Sequence, residues 1–151
     1  MKKRKIKCPY CGQQAKLVQG DQLWPSRPDL KYRRFWRCAL CDAHVGVHRN
    51  SYDAPMGKMA NEKLRKARKS VHRRFDLLWI NRDMNRDQAY RWLARRMGIK
   101  SRGCHIGFFS LNECRKAIEM LDVYIERRNY NFTNNKPTAI FEKKENLECR
   151  L

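Results

Sequence analysis

Over the first fifty residues the apolar positions fall in three short runs that alternate with polar ones: 15–18 (Ala-Lys-Leu-Val), 31–37 (Lys-Tyr-Arg-Arg-Phe-Trp-Arg) and 44–48 (His-Val-Gly-Val-His). Alternation with β-branched and aromatic residues, bounded by Gly, Pro and Asp, predicts strands. Beyond residue 58 the period lengthens. Ala60, Leu64, Ala67, Val71, Phe75 and Leu78 recur every three or four positions and predict an amphipathic helix over 59–79. A second helix is predicted from Asn85, which caps the turn while Gln88 reaches back, to Gly98, with Ala89, Tyr90, Leu93 and Met97 inward. A third begins with the capping box Ser110 to Glu113 and carries Leu111, Cys114, Ile118, Leu121 and Ile125 on one stripe to about residue 128. After Tyr130 the period is lost, so 131–151 reads as a loosely structured extension, and Cys149 as an exposed thiol. The expected class is α+β: a three-stranded antiparallel sheet in a module over 1–54, then a basic three-helix module over 55–130.

The cysteines decide what holds so small a sheet together. Cys8-Pro-Tyr-Cys11-Gly12 and Cys38-Ala-Leu-Cys41 are two C-x-x-C knuckles, and Gly12 suits the positive φ of such a turn. A long hairpin between them brings four thiolates around one tetrahedral Zn²⁺. The sheet buries too little surface to stand alone, so the metal supplies folding energy, and four protein ligands leave no open position for catalysis. This is a zinc ribbon with one structural ion. His44 or His48 in place of one thiolate is a weighed alternative, as is a second site drawing on Cys104, His105 and His72, although paired spacing supports neither.

Lys and Arg number 35 against 15 Asp and Glu, a formal charge of +20, and a Cys₄ zinc site lowers it by only two. Such an excess calls for an anionic partner. Over 58–74 there are eight Lys or Arg and a single acid, Glu62, and Arg86, Arg91, Arg95 and Arg96 line the second helix. The expected phosphate contacts are Arg27, Arg33 and Arg34 of the ribbon and Lys63, Arg65, Lys66, Arg68, Lys69, Arg73 and Arg74 of the first helix. Trp24, on a proline-stiffened loop, and Trp36 are candidates for stacking on bases, with the alternative that Trp24 folds back over the knuckles. No run is apolar enough to span a bilayer, and the basic start MKKRKIK runs into Cys8 without an apolar signal segment, so a cytoplasmic location is expected.

The strings CPYCG, WPSRPDL, FWRCALCDAHVGVH, MANEKLRKARKSVHRRFDLLW, AYRWLARRMGI and CHIGFF, spread over 7–120, together resemble a family of zinc-finger-containing proteins of bacteriophages and prophages. The resemblance implies a zinc-binding segment carried by Cys8, Cys11, Cys38 and Cys41 and a phage or prophage origin; it implies no activity. Where relatives carry a Gly- and Pro-containing turn after the third strand, this chain has Arg49-Asn50-Ser51-Tyr52-Asp53-Ala54-Pro55. The leading expectation is a zinc-stabilised binder of DNA or RNA. One alternative is a phage regulator that docks on an acidic surface of host transcription or translation machinery. Another is a metal-dependent nuclease drawing on His44, His48, Asn50, His72, Asp76 and His105, for which no motif of recognisable spacing is present. No small-molecule substrate is evident: the chain has neither a Gly-rich phosphate loop nor a nucleotide-binding fingerprint.

Overall fold

A computed structural model describes residues 4–131 of the chain. The extension expected over 131–151 lies outside the described residues apart from Asn131, and Cys149 lies outside them altogether. Three strands, β1 (Lys16–Gln19), β2 (Arg34–Cys38) and β3 (Ala43–Gly46), form an antiparallel sheet in sequence order. Three helices follow, α1 (Glu62–Ile80), α2 (Arg86–Met97) and α3 (Leu111–Asn131). The protein is α+β, with the sheet at the N-terminal end.

The register pairs Leu17 with Trp36 and Trp36 with Val45, so these side chains share one face. That face, with Ala15, Cys38, Ala43, Val47 and Met59, closes over Cys8 to make the ribbon core. The opposite face carries Phe35 and His44. Residues 31–33, expected in the second strand, instead complete a loop: a 3₁₀ turn at Pro28–Leu30 is followed by Arg33 N–H donating to the Leu30 carbonyl. Pro28 fixes the φ that this turn needs and the sheet begins only at Arg34. After β3, the turn at residues 49–55 is organised by Ser51, whose hydroxyl accepts from the N–H groups of Asp53 and Ala54.

The chain then runs back beside β3. Met59 and Ala60, expected to open the first helix, lie before it: Ala60 and His44 exchange backbone hydrogen bonds of 3.1 and 3.0 Å. The helix starts later because Asn61 caps it, its side chain accepting from Leu64 N–H at 3.0 Å. The other helix signals are found where the sequence places them. Asn85 and Gln88 form a reciprocal capping box, Gly98 ends α2 at φ 68°, and Ser110 and Glu113 bond each other's backbone N–H.

Val71, Phe75 and Leu78 of α1 meet Leu93 of α2 and Cys114, Ala117 and Leu121 of α3 in a second core, closed by Ile106 and Phe109. The two cores are tied through backbone. Lys58 N–H donates to the Gly107 carbonyl at 3.0 Å, and a Cβ on Gly57 would stand only 2.4 Å from that oxygen, so this approach requires glycine. Tyr10, on the first knuckle, accepts at its hydroxyl from the Asn61 N–H that α1 leaves unpaired. Among the described residues no helix is long and apolar enough to cross a membrane.

Candidate metal centre

Each knuckle is built by backbone. Gly12 N–H donates to the Cys8 carbonyl at 2.9 Å, with Gly12 at φ 72°, and Cys8 N–H donates to the Gln13 carbonyl at 2.8 Å. In the second knuckle the position equivalent to Gly12 is Asp42, in the left-handed region at φ 44°. Aspartate is among the few residues that tolerate this conformation. The two turns come together, and the four Sγ atoms of Cys8, Cys11, Cys38 and Cys41 all lie within 4.8 Å of one another, Cys11 and Cys38 at 3.6 Å. Among the described residues this is the group of His, Cys, Asp and Glu that is close enough to hold a metal ion.

The donor chemistry fits zinc. Burial pushes the Cys8 thiol up, but the backbone N–H groups of Tyr10 and Cys11 and the neighbouring thiols outweigh it and bring it down to about 7. Cys41 is pushed up to about 12, first by its hydrogen bond with Cys11 and then by burial. Four thiols this close cannot all ionise on their own, because each new thiolate faces the last. A dication removes that conflict, and four soft sulfurs in a closed set select zinc in a structural role. The four cysteines are therefore suited to hold one Zn²⁺.

The histidines stand apart from it. His44 packs edge to face against Trp24 at 5.0 Å and near Phe35 at 6.3 Å, its Nδ1 buried without a partner. Burial first, then the positive charge of Arg65, lowers its pKa to about 4, against which Asp42 acts more weakly. His48 is exposed, while His72, half-buried on α1, and His105, in ring contact with Tyr90 at 5.6 Å, are not gathered with acids into a second cluster close enough to hold a metal among the described residues. Cys104 and Cys114 are fully buried in the helical core, and burial pushes the Cys104 thiol up to about 11.

The expected nucleic-acid residues are distributed unevenly. Trp36 is 4% exposed and its indole N–H donates to the Asp53 carbonyl at 2.8 Å, so it offers no face to a base and belongs to the ribbon core. Trp24 is half-buried against Phe35 at 5.1 Å, on the sheet face away from the knuckles. Arg34 lies over the Tyr52 ring and donates to the Ser51 carbonyl, Arg27 pairs with Asp29, and Arg33 is half-buried.

On α1, three arginines serve the fold itself. Arg65 donates to the carbonyls of Asp42 and Ala60, Arg68 to those of Phe109 and Lys58, and Arg74 to Asp122 and the Ser70 hydroxyl. Lys66 pairs with Glu62 one turn earlier, Arg73 is half-buried, and Lys63 and Lys69 are exposed. Two exposed residues escaped the sequence reading: Tyr32 and Leu40, at 81% and 76%, are the most exposed large apolar side chains of the described residues. Leu40 sits before Cys41 as Tyr10 sits before Cys11, and that shared position within C-x-x-C was the available signal.

No curated protein and no solved structure matches the chain. The model of the family described as zinc-finger-containing domain matches residues 4–124, from before the first knuckle to within α3. Its span takes in the four clustered cysteines and the helices tied to them, and the chain belongs to the zinc-finger-containing domain family.

Proposed function

We propose that this protein binds nucleic acid through its phosphates, with zinc holding the ribbon in shape and taking no part in chemistry. The observation that carries the reading is what remains of the charge after internal pairing. Lys63, Lys69, Arg91, Arg95 and Lys116 are exposed and make no ion pair among the described residues. Cations left in this state along α1, α2 and α3 repel one another, and a phosphate backbone relieves that repulsion while releasing its own counterions. The contact surface on this reading includes the outer face of α2, while Arg65, Arg68 and Arg74 drop out because they are committed to the fold.

The protein acts, on the same reading, in a bacterial cytoplasm, where C-x-x-C thiolates stay reduced. A phage or prophage origin rests on the resemblance of its motif strings. Fluorescence anisotropy of the zinc-loaded protein on labelled single- and double-stranded DNA and RNA, across a salt series, tests the function. Four or five phosphate contacts give a slope of log K against log salt of about −3 to −3.5 on single strands and about −3.6 to −4.5 on duplex. Affinity that stays flat with salt overturns the reading and points to an acidic protein surface. Recovery of a protein partner from nuclease-treated host lysate would then identify it.

A further inference from the structure

Between α2 and α3 lies a groove of about 230 Å³, lined by Trp92 and Arg96 of α2 and by Glu119, Val123, Tyr124 and Arg127 of α3. The groove is open to solvent along its length, a surface concavity and not an enclosed void. Its floor is aromatic: the rings of Trp92 and Tyr124 meet edge to face at 4.9 Å. Its rim is cationic and carries one acid. The Arg96 guanidinium lies 5.8 Å from the Trp92 ring centre, Arg127 stands on the opposite wall, and Val123 is 48% exposed beside Glu119. Arg91 and Arg95, exposed and without an ion pair among the described residues, lie on the same helix, on the face next to that of Trp92 and Arg96.

This combination narrows the occupant. An apolar peptide has no use for the arginines, and a duplex presents no base face to the aromatic floor. A base released from its stack offers a flat π-face, a neighbouring phosphate on either side and, in several bases, an exocyclic amine that a carboxylate can accept from. We propose that the groove takes one unstacked nucleobase of a single-stranded nucleic acid. Trp92 gives it a stacking face, the Tyr124 ring, tilted 63° from Trp92, lies against its edge, Arg96 and Arg127 meet the flanking phosphates, and Glu119 accepts from the base edge. The inference deepens the nucleic-acid reading and rests on it for the polymer, but the base site is testable without one.

Two measurements separate the claims. Titration of the ¹⁵N-labelled, zinc-loaded protein with adenosine monophosphate is expected to shift the Trp92 indole resonance while the Trp36 resonance stays in place. Anisotropy then compares wild type with Val123→Glu, which places a carboxylate at the exposed rim, and with Asn112→Glu, which adds the same charge at the exposed start of α3. Val123→Glu is expected to weaken single-strand binding about 5- to 20-fold and duplex binding less than twofold, with Asn112→Glu changing both less than twofold. A Trp92 resonance that does not move overturns the groove even when oligonucleotides bind, and so does an equal loss on single strands and duplex. A shift by the mononucleotide without oligonucleotide binding keeps the groove and removes the polymer reading. Concentration-dependent dimerisation that Val123→Glu abolishes, with no response to the mononucleotide, assigns the groove to a second copy of the chain and overturns the proposal.

Discussion

Arg65, on the first turn of α1, donates one guanidinium nitrogen to the Asp42 carbonyl at 2.6 Å and the other to the Asp42 carboxylate at 3.1 Å. Asp42 follows the last zinc ligand and holds the left-handed turn of the second knuckle, so the helix grips the metal site by its one non-glycine corner. The same nitrogen that reaches the Asp42 carbonyl also reaches that of Ala60, which pairs with β3. Helix, knuckle and sheet edge thus converge on one side chain.

Replacing Arg65 by Ala is expected to destabilise the zinc-loaded protein by about 1–2 kcal/mol, since the carboxylate is solvated but the two carbonyls lose a charged donor. Lys, a single ammonium, recovers less than half of this. Urea midpoints at constant m measure it, and an unchanged midpoint in Arg65→Ala would mean that the knuckle holds Asp42 unaided.

Elemental analysis is expected to return one zinc per chain, and Cys38→Ser to return none at stoichiometric metal. Binding of order 10 kcal/mol is typical of such a site. Chelation should erase the near-ultraviolet signal of Trp36, which packs in the ribbon core, and leave most of the helical far-ultraviolet signal, because the helical core is built from other residues. Loss of both signals together would show one cooperative unit.

His44 gives a pH dependence of known sign. Its pKa is near 4 in the fold, against 6.5 for the free side chain, because burial disfavours the cation and Arg65 and Arg37 repel it. Between those values the unfolded chain binds the extra proton, so stability falls as pH drops from about 6.5 to 4 and the contribution levels off below. About 1–3 kcal/mol is at stake after allowing for partial solvent access. Thiolate protonation acts in the same direction, so the measured quantity is the difference between wild type and His44→Gln, which is expected to narrow as the pH falls. A constant difference across this range would remove His44 as the cause.

The arginines should divide into two groups. Arg91→Glu with Arg95→Glu is expected to leave the melting temperature within a few degrees and to lower the salt slope by about 1.4–1.8. Arg74→Ala is expected to do the reverse: its Nε lies 2.6 Å from Asp122 and it also holds the Ser70 hydroxyl, so stability drops by about 1–2 kcal/mol while the slope stays put. Equal salt slopes in all variants would place the anion contacts elsewhere on the surface.

Gly57→Ala is expected to cost at least about 2 kcal/mol, because the new Cβ meets the Gly107 carbonyl at 2.4 Å and both partners are backbone. Thermal denaturation checks it, and a neutral substitution would show that the ribbon and helices can part there without loss.

The sequence by itself determined the features whose physics is local. Two residues between cysteines fix the bite of a knuckle, Asn85 with Gln88 and Ser110 with Glu113 fix helix starts, and Gly98 fixes an end, each within a few bonds of the residue concerned. The antiparallel sheet followed from alternation within short runs for the same reason. The tertiary structure decided the fate of the long and the bulky side chains. Arg65, Arg68 and Arg74 have the same local context as solvent-facing cations on a basic helix, and only the arrival of Asp42, Phe109 and Asp122 from distant segments turns them into structural ties. Ala60 fits the helical period, yet β3 claims it, because an unpaired sheet edge beside it offers backbone hydrogen bonds before Asn61 caps the helix. Trp36 reads as an aromatic among arginines and is buried because its partners, Leu17 and Val45, lie on other strands. Side-chain type names the interactions a residue can make; which one it makes depends on neighbours that only the folded chain brings within reach.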